Sequence, residues 1–403
     1  MKIAFFTDAY FPQVNGVATS VYETTKELRR RGHEVCIIAT KYPNYKDAKN
    51  ESVIRLSSIS VYKKLNIRIA THMPDKTLFN LYRKRFDIIH AHGGGTISLL
   101  GFEIATLRKI PIVFTYHTLW GKYKHYRLRG GIFAEGISNI LTRRCDVIIA
   151  PTKKMKDELI ASGVKKQISI IPNCVNTDKF NIKSTDYLHK LLKISPSIPI
   201  LISVGRLGKE KNFTFLVEVF KIIVDREQKD QTENKKPHFV IIGSGPEKKY
   251  LDSLIKSLNL EYRVHLIGGI EQRKMPYVYK SAKVFVFASL TEVHPLSILE
   301  AGASGLPFII TADKAFENVV VNGKNGFALP LDKDQFAQKI LDLLDSPKLM
   351  SRFAANSKIL INTYFRADKV TNELISVYKQ IIKEFGKKPK SFIDTFLSTF
   401  DLR

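Results

Sequence analysis

Glu292 and Glu300 stand eight residues apart in SLTEVHPLSILEAGASGLP. Upstream, Arg206 and Lys211 bracket the loop SVGRLGKEKN, with Glu210 and Asn212 beside them. Side chains of these types suit a ligand that carries both phosphate and hydroxyl groups. Arginine grips phosphate oxygens with a planar fork, and lysine neutralises them as a point charge. Two carboxylates can accept hydrogen bonds from a sugar or a ribose. His117, in VFTYHTLWGKY, offers an imidazole that could meet a sugar hydroxyl or a reacting group. Gly16, in FPQVNGVATSV, would let the backbone at a helix start approach an anion closely. His90 and His92, in DIIHAHGGG, have a spacing that a metal could use, but no third ligand is apparent, and structural roles or lining of an acceptor site fit better. No G-x-x-x-x-G-K-[ST] occurs. Gly243 and Gly245, in IIGSGPEKKYL, read as a tight strand-to-helix turn.

The elements that must carry these residues alternate along the chain. KIAFFT, EVCIIAT, DIIHAH, PIVFTYH and DVIIAP read as buried parallel strands with helical stretches between them. A second series begins at ILISVGRL and continues through HFVIIGSG, RVHLIGG, KVFVFAS and PFIIT. The fold class is therefore α/β, with two Rossmann-like domains and the ligand expected in a cleft between them. The boundary is placed at 188/189, within the polar stretch around KLLKISPSIPI, so that residues 1–188 form one domain and 189–371 the other. The C-terminal run, 372–403, is expected to pack back on the first domain. Arg206, Lys211, Glu292 and Gly16 all fall at the carboxyl ends of strands, where open α/β sheets bind ligands.

The 403 residues carry 64 Lys and Arg against 38 Asp and Glu, a net charge of +26. The excess is uneven: 33 basic against 15 acidic residues in 1–200, and 31 against 23 in 201–403. Such a balance attracts polyanions. Lys63, Lys64, Arg68, Lys76, Arg83, Lys84 and Arg85 interleave with Leu78, Phe79, Leu81 and Tyr82, and WGKYKHYRLRGG repeats the theme. Basic segments with aromatics suit an anionic membrane surface, whereas no recognised nucleic-acid module occurs. No apolar run is long enough to cross a bilayer. MKIAFFTDAYFP reads as a first strand and not a signal peptide. Three cysteines without metal spacing suggest a reducing cytoplasm.

GRLGKEKN followed by TEVHPLSILEAGASGLP resembles the family 4 retaining glycosyltransferases, which have the GT-B fold of two facing Rossmann-like domains. Supporting pieces span nearly the whole chain, among them FFTDAYFPQVNGVATSV, TYHT, IIPNCVNTDKF and NGKNGFALP. Within the family, the opening segment and TYHTLWGKY look most like the diacylglycerol glucosyltransferases. The resemblance implies that Arg206 and Lys211 hold the nucleotide diphosphate and that Glu300 binds the ribose. Glu292 would contact the transferred sugar, Leu296 would join the donor-binding set, and His117 would lie near the reacting centre. Gly16 would admit the first helix's amino end to the phosphate. No metal and no cofactor is implied beyond the nucleotide sugar itself. Glu292 and Glu300 are then binding groups and not the acid and nucleophile of a glycosidase. Pro295 stands where many members have Gly and offers no N–H, which bears on the choice of sugar.

The resulting expectation is a cytoplasmic, peripheral membrane enzyme that moves glucose from UDP-glucose to 1,2-diacylglycerol with α linkage. Galactose or mannose as the sugar, and phosphatidylinositol, a glycolipid or a lipopolysaccharide core as the acceptor, stay open at this point. So do a nucleotide-sugar-binding protein without turnover and, on charge alone, a nucleic-acid binder.

Overall fold

The structure is a computed structural model. It describes the chain apart from residues 14, 49–50, 63–66, 72–73, 119–131, 231–235 and 387–403, and apart from the side chains of 61, 62, 67, 132–134 and 228–230. The chain divides into two compact units, Met1–Cys174 together with the segment from Ala367 onward, and Val175–Arg366.

In the first unit the strands are β1 (Lys2–Thr7), β2 (Glu34–Thr40), β3 (Val53–Leu56), β4 (Ser58–Tyr62), β5 (Ile67–Ala70), β6 (Ile88–His92), β7 (Ile112–Thr115), β8 (Val147–Ala150) and β9 (Ile168–Ile170). Seven of them form a parallel sheet in the order β3-β2-β1-β6-β7-β8-β9, and β4 and β5 form a separate antiparallel hairpin. Every residue of β6, β7 and β8 is buried, as sheets covered on both faces require. The helix Gly16–Arg30 starts where the Asn15 side chain accepts the Ala18 N–H. The sheet order reverses between β1 and β6, so the loops after these two strands diverge and leave a crevice at their carboxyl ends.

The C-terminal helix, Ala367–Phe385, belongs to this unit. Val370, Leu374, Tyr378 and Ile381 repeat at helical spacing and pack into one core with Ile3, Phe5, Val21, Leu28 and Ile37. Arg31 ties the helix down further, donating to the Asp368 carbonyl at 2.7 Å and to the Asn372 side chain.

The second unit has β10 (Ile200–Val204), β11 (His238–Ile242), β12 (Val264–Gly268), β13 (Val284–Phe287), β14 (Phe308–Thr311) and β15 (Gly326–Leu329). They form a six-stranded parallel sheet in the order β12-β11-β10-β13-β14-β15, with a separate hydrophobic core on each face. Here the order reverses between β10 and β13.

The domain limits differ from the 188/189 boundary read from the sequence. Val175 donates its N–H to the Phe365 carbonyl at 2.9 Å, and Val175, Phe180 and Leu188 are buried in the second unit's core. Residues 175–188 therefore belong to the second unit, and 367–371 belong to the first. No helix among the described residues is long and apolar enough to cross a membrane.

Candidate active site

The second unit assembles its charged residues at the β10/β13 reversal. After β10 the chain makes a short helical turn, Lys209–Lys211, and Asn212 then adopts a left-handed φ of 54° before the helix Phe213–Asp230. Asparagine tolerates that conformation better than other non-glycine residues, which gives the Asn of GKEKN a structural reason. Arg206 donates to the buried Glu210 carboxylate at 2.5 Å. The Glu210 carbonyl in turn accepts from Leu290 N–H at 2.8 Å and from the Ser289 hydroxyl at 3.2 Å, stitching this loop to the one after β13. Across the same seam Lys211 donates to Glu292, and both side chains are largely buried. The ammonium also lies 5.7 Å from the centre of the Phe287 ring.

Gly243 and Gly245 support this arrangement from below. A Cβ on Gly243 would lie 1.8 Å from the Gly205 carbonyl oxygen, and one on Gly245 would lie 2.3 Å from the Leu207 carbonyl oxygen. The absence of both side chains lets Leu207 exchange 3.0 Å backbone hydrogen bonds with Ser244 and Glu247. These glycines thus hold the Arg206 loop in place.

Glu300 lies in the helix Leu296–Ser304, one turn from its start, and is buried. Its carboxylate accepts from Gln272 Nε2 at 2.5 Å and from Tyr279 Oη at 3.0 Å. Burial, with Glu300 beside it, holds the Tyr279 phenol well above its usual range, so Tyr279 stays a donor. The two acids therefore have different settings: Glu292 faces a cation, and Glu300 faces two neutral donors. Leu296 is buried at the first position of its helix, behind Pro295, and no side chain caps that start. The neighbouring His294 is a packing residue, buried against Phe365, with its imidazole pushed down to about 4.

In the first unit, Gly16 is exposed at the start of its helix, with no atom within 4 Å of where a Cβ would stand. The domain itself imposes no demand for glycine there. Asp8, just past β1, accepts the Ile97 N–H at 3.0 Å at the start of the helix Thr96–Arg108, and burial pushes its carboxyl up to about 6. His117 follows β7 and is partly buried, with its imidazole pushed down to about 4 by desolvation. Its Nε2 lies 2.9 Å from His92 Nδ1. His90 is held between Tyr378 Oη at 2.5 Å and Thr115 Oγ1 at 2.6 Å. Among the described residues, no cluster of three or more His, Cys, Asp or Glu is arranged to hold a metal.

Residues 14–179 match the family model Glycosyltransferase Family 4, and residues 187–359 match Glycosyl transferases group 1. Over 404 aligned residues the chain is 30% identical to an α-monoglucosyldiacylglycerol synthase of Acholeplasma laidlawii, covering 96% of this chain and 99% of that one. It is 30% identical to the synthase of the same name from Streptococcus pneumoniae, over 89% of this chain and 82% of the relative.

The chain belongs to glycosyltransferase family 4.

It is a hexosyltransferase with the GT-B fold. In fold it is similar to a sucrose-phosphate synthase from Thermosynechococcus elongatus, with a TM-score of 0.75 at 19% identity, covering 95% of this chain and 99% of that one. The glycosyltransferase divides its sequence-expected site residues between its domains. Arg206, Lys211, Glu292, Leu296 and Glu300 lie in the second and Gly16 and His117 in the first.

Of the basic residues expected to dock on a membrane, Lys76, Arg83, Lys84 and Arg85 are exposed on and just after the helix Lys76–Arg83. Phe79, 60% exposed, shares that helix and lies under the Arg83 guanidinium at 5.3 Å. Arg68 is different. Its guanidinium donates to the Ser58 hydroxyl at 2.8 Å and carbonyl at 2.6 Å and lies over Tyr42, so it closes the β4–β5 hairpin and is not a free surface cation. Lys63, Lys64 and the segment WGKYKHYRLRGG lie outside the described residues.

Sequence reasoning missed Gln272 and Tyr279. Their contacts with Glu300 span 28 and 21 residues, and no motif spacing announces a tertiary hydrogen bond. Glu210 was visible beside Arg206 in the sequence, but its part in joining two loops was not.

Proposed function

We propose that the glycosyltransferase moves glucose from UDP-glucose to 1,2-diacylglycerol, forming an α-glycolipid on a membrane surface. The observation that carries this reading is the Arg206–Glu210 and Lys211–Glu292 pairing at the β10/β13 reversal, in a chain that aligns over most of its length with two relatives named as α-monoglucosyldiacylglycerol synthases. Arg206 and Lys211 place two positive charges where a diphosphate leaving group would gather negative charge. Because the carboxylates already orient both cations, little reorganisation is needed as that charge grows.

In the proposed reaction the bond from the sugar C1 to the β-phosphate oxygen breaks as a bond from C1 to the acceptor hydroxyl oxygen forms on the same face. The departing phosphate oxygen takes the acceptor's proton, leaving UDP and the glycolipid. The protein supplies positioning and electrostatics. Glu292 holds sugar hydroxyls. Glu300, fixed by Gln272 and Tyr279, accepts from the ribose. Leu296 and the uncapped helix start behind Pro295 give backbone N–H groups to the donor. Gly16 admits the first helix to the phosphate, and His117 meets the sugar. With two cations at the diphosphate, the reaction calls for no metal, and chelation should leave it unchanged.

Incubating the purified protein with several labelled nucleotide sugars and vesicles of diacylglycerol and anionic phospholipid, then identifying the product by mass, tests this reading. The expected product is monoglucosyldiacylglycerol. A hexose found on phosphatidylinositol or on a preformed glycolipid instead would replace the acceptor and leave the donor site standing.

A further inference from the structure

A buried histidine and a partly buried one meet at the ends of adjacent strands. His92 closes β6 opposite Thr115 of β7, and His117 follows two residues later. His92 Nδ1 and His117 Nε2 are 2.9 Å apart, with ring planes inclined by 23° and centroids 5.2 Å apart. A hydrogen bond between two ring nitrogens needs one protonated and one bare nitrogen. Desolvation holds both rings neutral, with His92 well below the usual imidazole range and His117 near 4.

Only two proton arrangements are open to this neutral pair. If His117 were the donor, His92 would carry its own proton on Nε2. That nitrogen is buried and has no hydrogen-bond partner, so the arrangement strands an N–H away from water. If His92 donates through Nδ1, its Nε2 is a bare acceptor. Buried unpaired N–H groups are rarer and costlier than under-used acceptors, so the second arrangement wins. The His92 ring has little freedom to escape it. It stacks on Phe5 at 5.1 Å and abuts His90 at 4.0 Å, and His90 is itself pinned at both nitrogens by Tyr378 and Thr115.

We propose that His92 is a positioning residue that locks His117 as its Nδ1–H tautomer, so that His117 offers the substrate a hydrogen-bond donor and keeps its basic nitrogen turned inward. This deepens the reading of His117 as the group that meets the sugar, and it rests on that reading. Its chemical consequence is specific. A donor can hold a hydroxyl or phosphate oxygen but cannot remove the acceptor's proton, which leaves that task to the departing phosphate.

The test joins a spectroscopic arm, which needs no substrate, to a kinetic one. With ¹⁵N-labelled histidine, long-range proton–nitrogen spectra assigned through His117→Phe should give a protonated Nδ1 and a bare Nε2 for His117. In His92→Phe, which keeps a ring but has no donor, the Nε2–H form should appear. His92→Asn, whose amide can donate to the same nitrogen, should restore the Nδ1–H form. In glucosyl transfer, His92→Phe should lower kcat by roughly tenfold or more, the scale typical of lost orienting partners. KM for the donor should stay near the wild-type value, and His92→Asn should recover most of kcat. An Nε2–H tautomer in the wild type, or a His92→Phe enzyme with undiminished kcat, overturns the proposal. An Nδ1–H spectrum in a protein that fails to glucosylate diacylglycerol would uphold the positioning role while rejecting the proposed reaction.

Discussion

Lys211 and Glu292, 81 residues apart in sequence, form a largely buried ion pair that joins the loops after β10 and β13. The pair neutralises itself when no substrate is present, so the second domain can bury both charges without exposing either to unpaired desolvation. Removing one partner of a buried pair typically costs about 3–5 kcal/mol, whereas replacing both with apolar residues can be nearly neutral. Lys211→Met and Glu292→Leu should each lower the melting temperature clearly, and the double variant should regain most of the loss. Transfer should be abolished in all three, as it should in Arg206→Ala. A double variant that regained activity along with stability would show that the pair is scaffolding alone.

Glu300 offers a separate test of donor recognition. A hydrogen bond to a charged group is worth about 1.5–3 kcal/mol, so Glu300→Gln should weaken UDP-glucose binding by roughly 10- to 100-fold. Glu300→Ala should do so as well, and should also lower stability by leaving Gln272 and Tyr279 without their acceptor. Isothermal titration with the nucleotide sugar reads the first effect and thermal melting the second. Unchanged donor affinity in Glu300→Gln would remove the ribose role.

Gly16 separates fold from function more cleanly. Nothing occupies the space where its Cβ would stand, and alanine favours a helix over glycine by about 0.5–1 kcal/mol. Gly16→Ala should therefore melt at the wild-type temperature or slightly above it. If the helix start approaches a phosphate, kcat/KM for the donor should still fall by about tenfold or more, because a methyl group would meet the ligand. A variant with wild-type transfer would end that assignment.

The exposed basic helix predicts salt-dependent docking. Each basic residue near an anionic surface contributes about 1 kcal/mol, so neutralising Lys76, Arg83, Lys84 and Arg85 together should cut vesicle binding by roughly 100-fold or more at low salt. Arg68→Gln is the contrasting variant. Its guanidinium serves Ser58, so the loss should appear in thermal stability, with vesicle binding kept. Cosedimentation with vesicles containing and lacking phosphatidylglycerol distinguishes the two outcomes.

Acid should weaken the first domain. His90 and His92 are held well below 6.5 and His117 near 4, all by burial. Between those values and about 6.5 the unfolded chain binds more protons, so stability is full above that window and drains as pH falls through it. Asp8 works in the opposite sense. Its carboxyl is raised to about 6, so protonating it between about 6 and its unfolded value of 3.8 returns some stability. Three histidines outweigh one carboxyl. His238 and His294, both pushed down to about 4, add the same trend in the second domain. Calorimetry should give a lower melting temperature at pH 5 than at pH 7; an equal or higher value would refute this balance.

The alternating strands and the motifs after β10 and β13 were legible because their physics is local. Apolar runs mark buried strands, and strand ends mark the crevice. The domain limit was misread because Val175 and Phe180 join the second core through long-range contacts that carry no periodicity. Arg68 was misread for a related reason. Its place in a basic run says nothing of the hairpin oxygens that occupy its guanidinium. The histidine pair at the end of β6 and β7 lay hidden because His92 and His117 meet only once those strands align.

The discontinuous first domain also bears on how the chain is made. Its core includes Tyr378 and Ile381, so translation must pass Ile381 before that core can close. The second domain is contiguous from Val175 to Arg366 and becomes complete on the ribosome first. Domains usually mature in the order of synthesis, and here that order is reversed. Until the C-terminal helix is made, of the described helices only Gly16–Arg30 closes the core under the first sheet, through Val21 and Leu28.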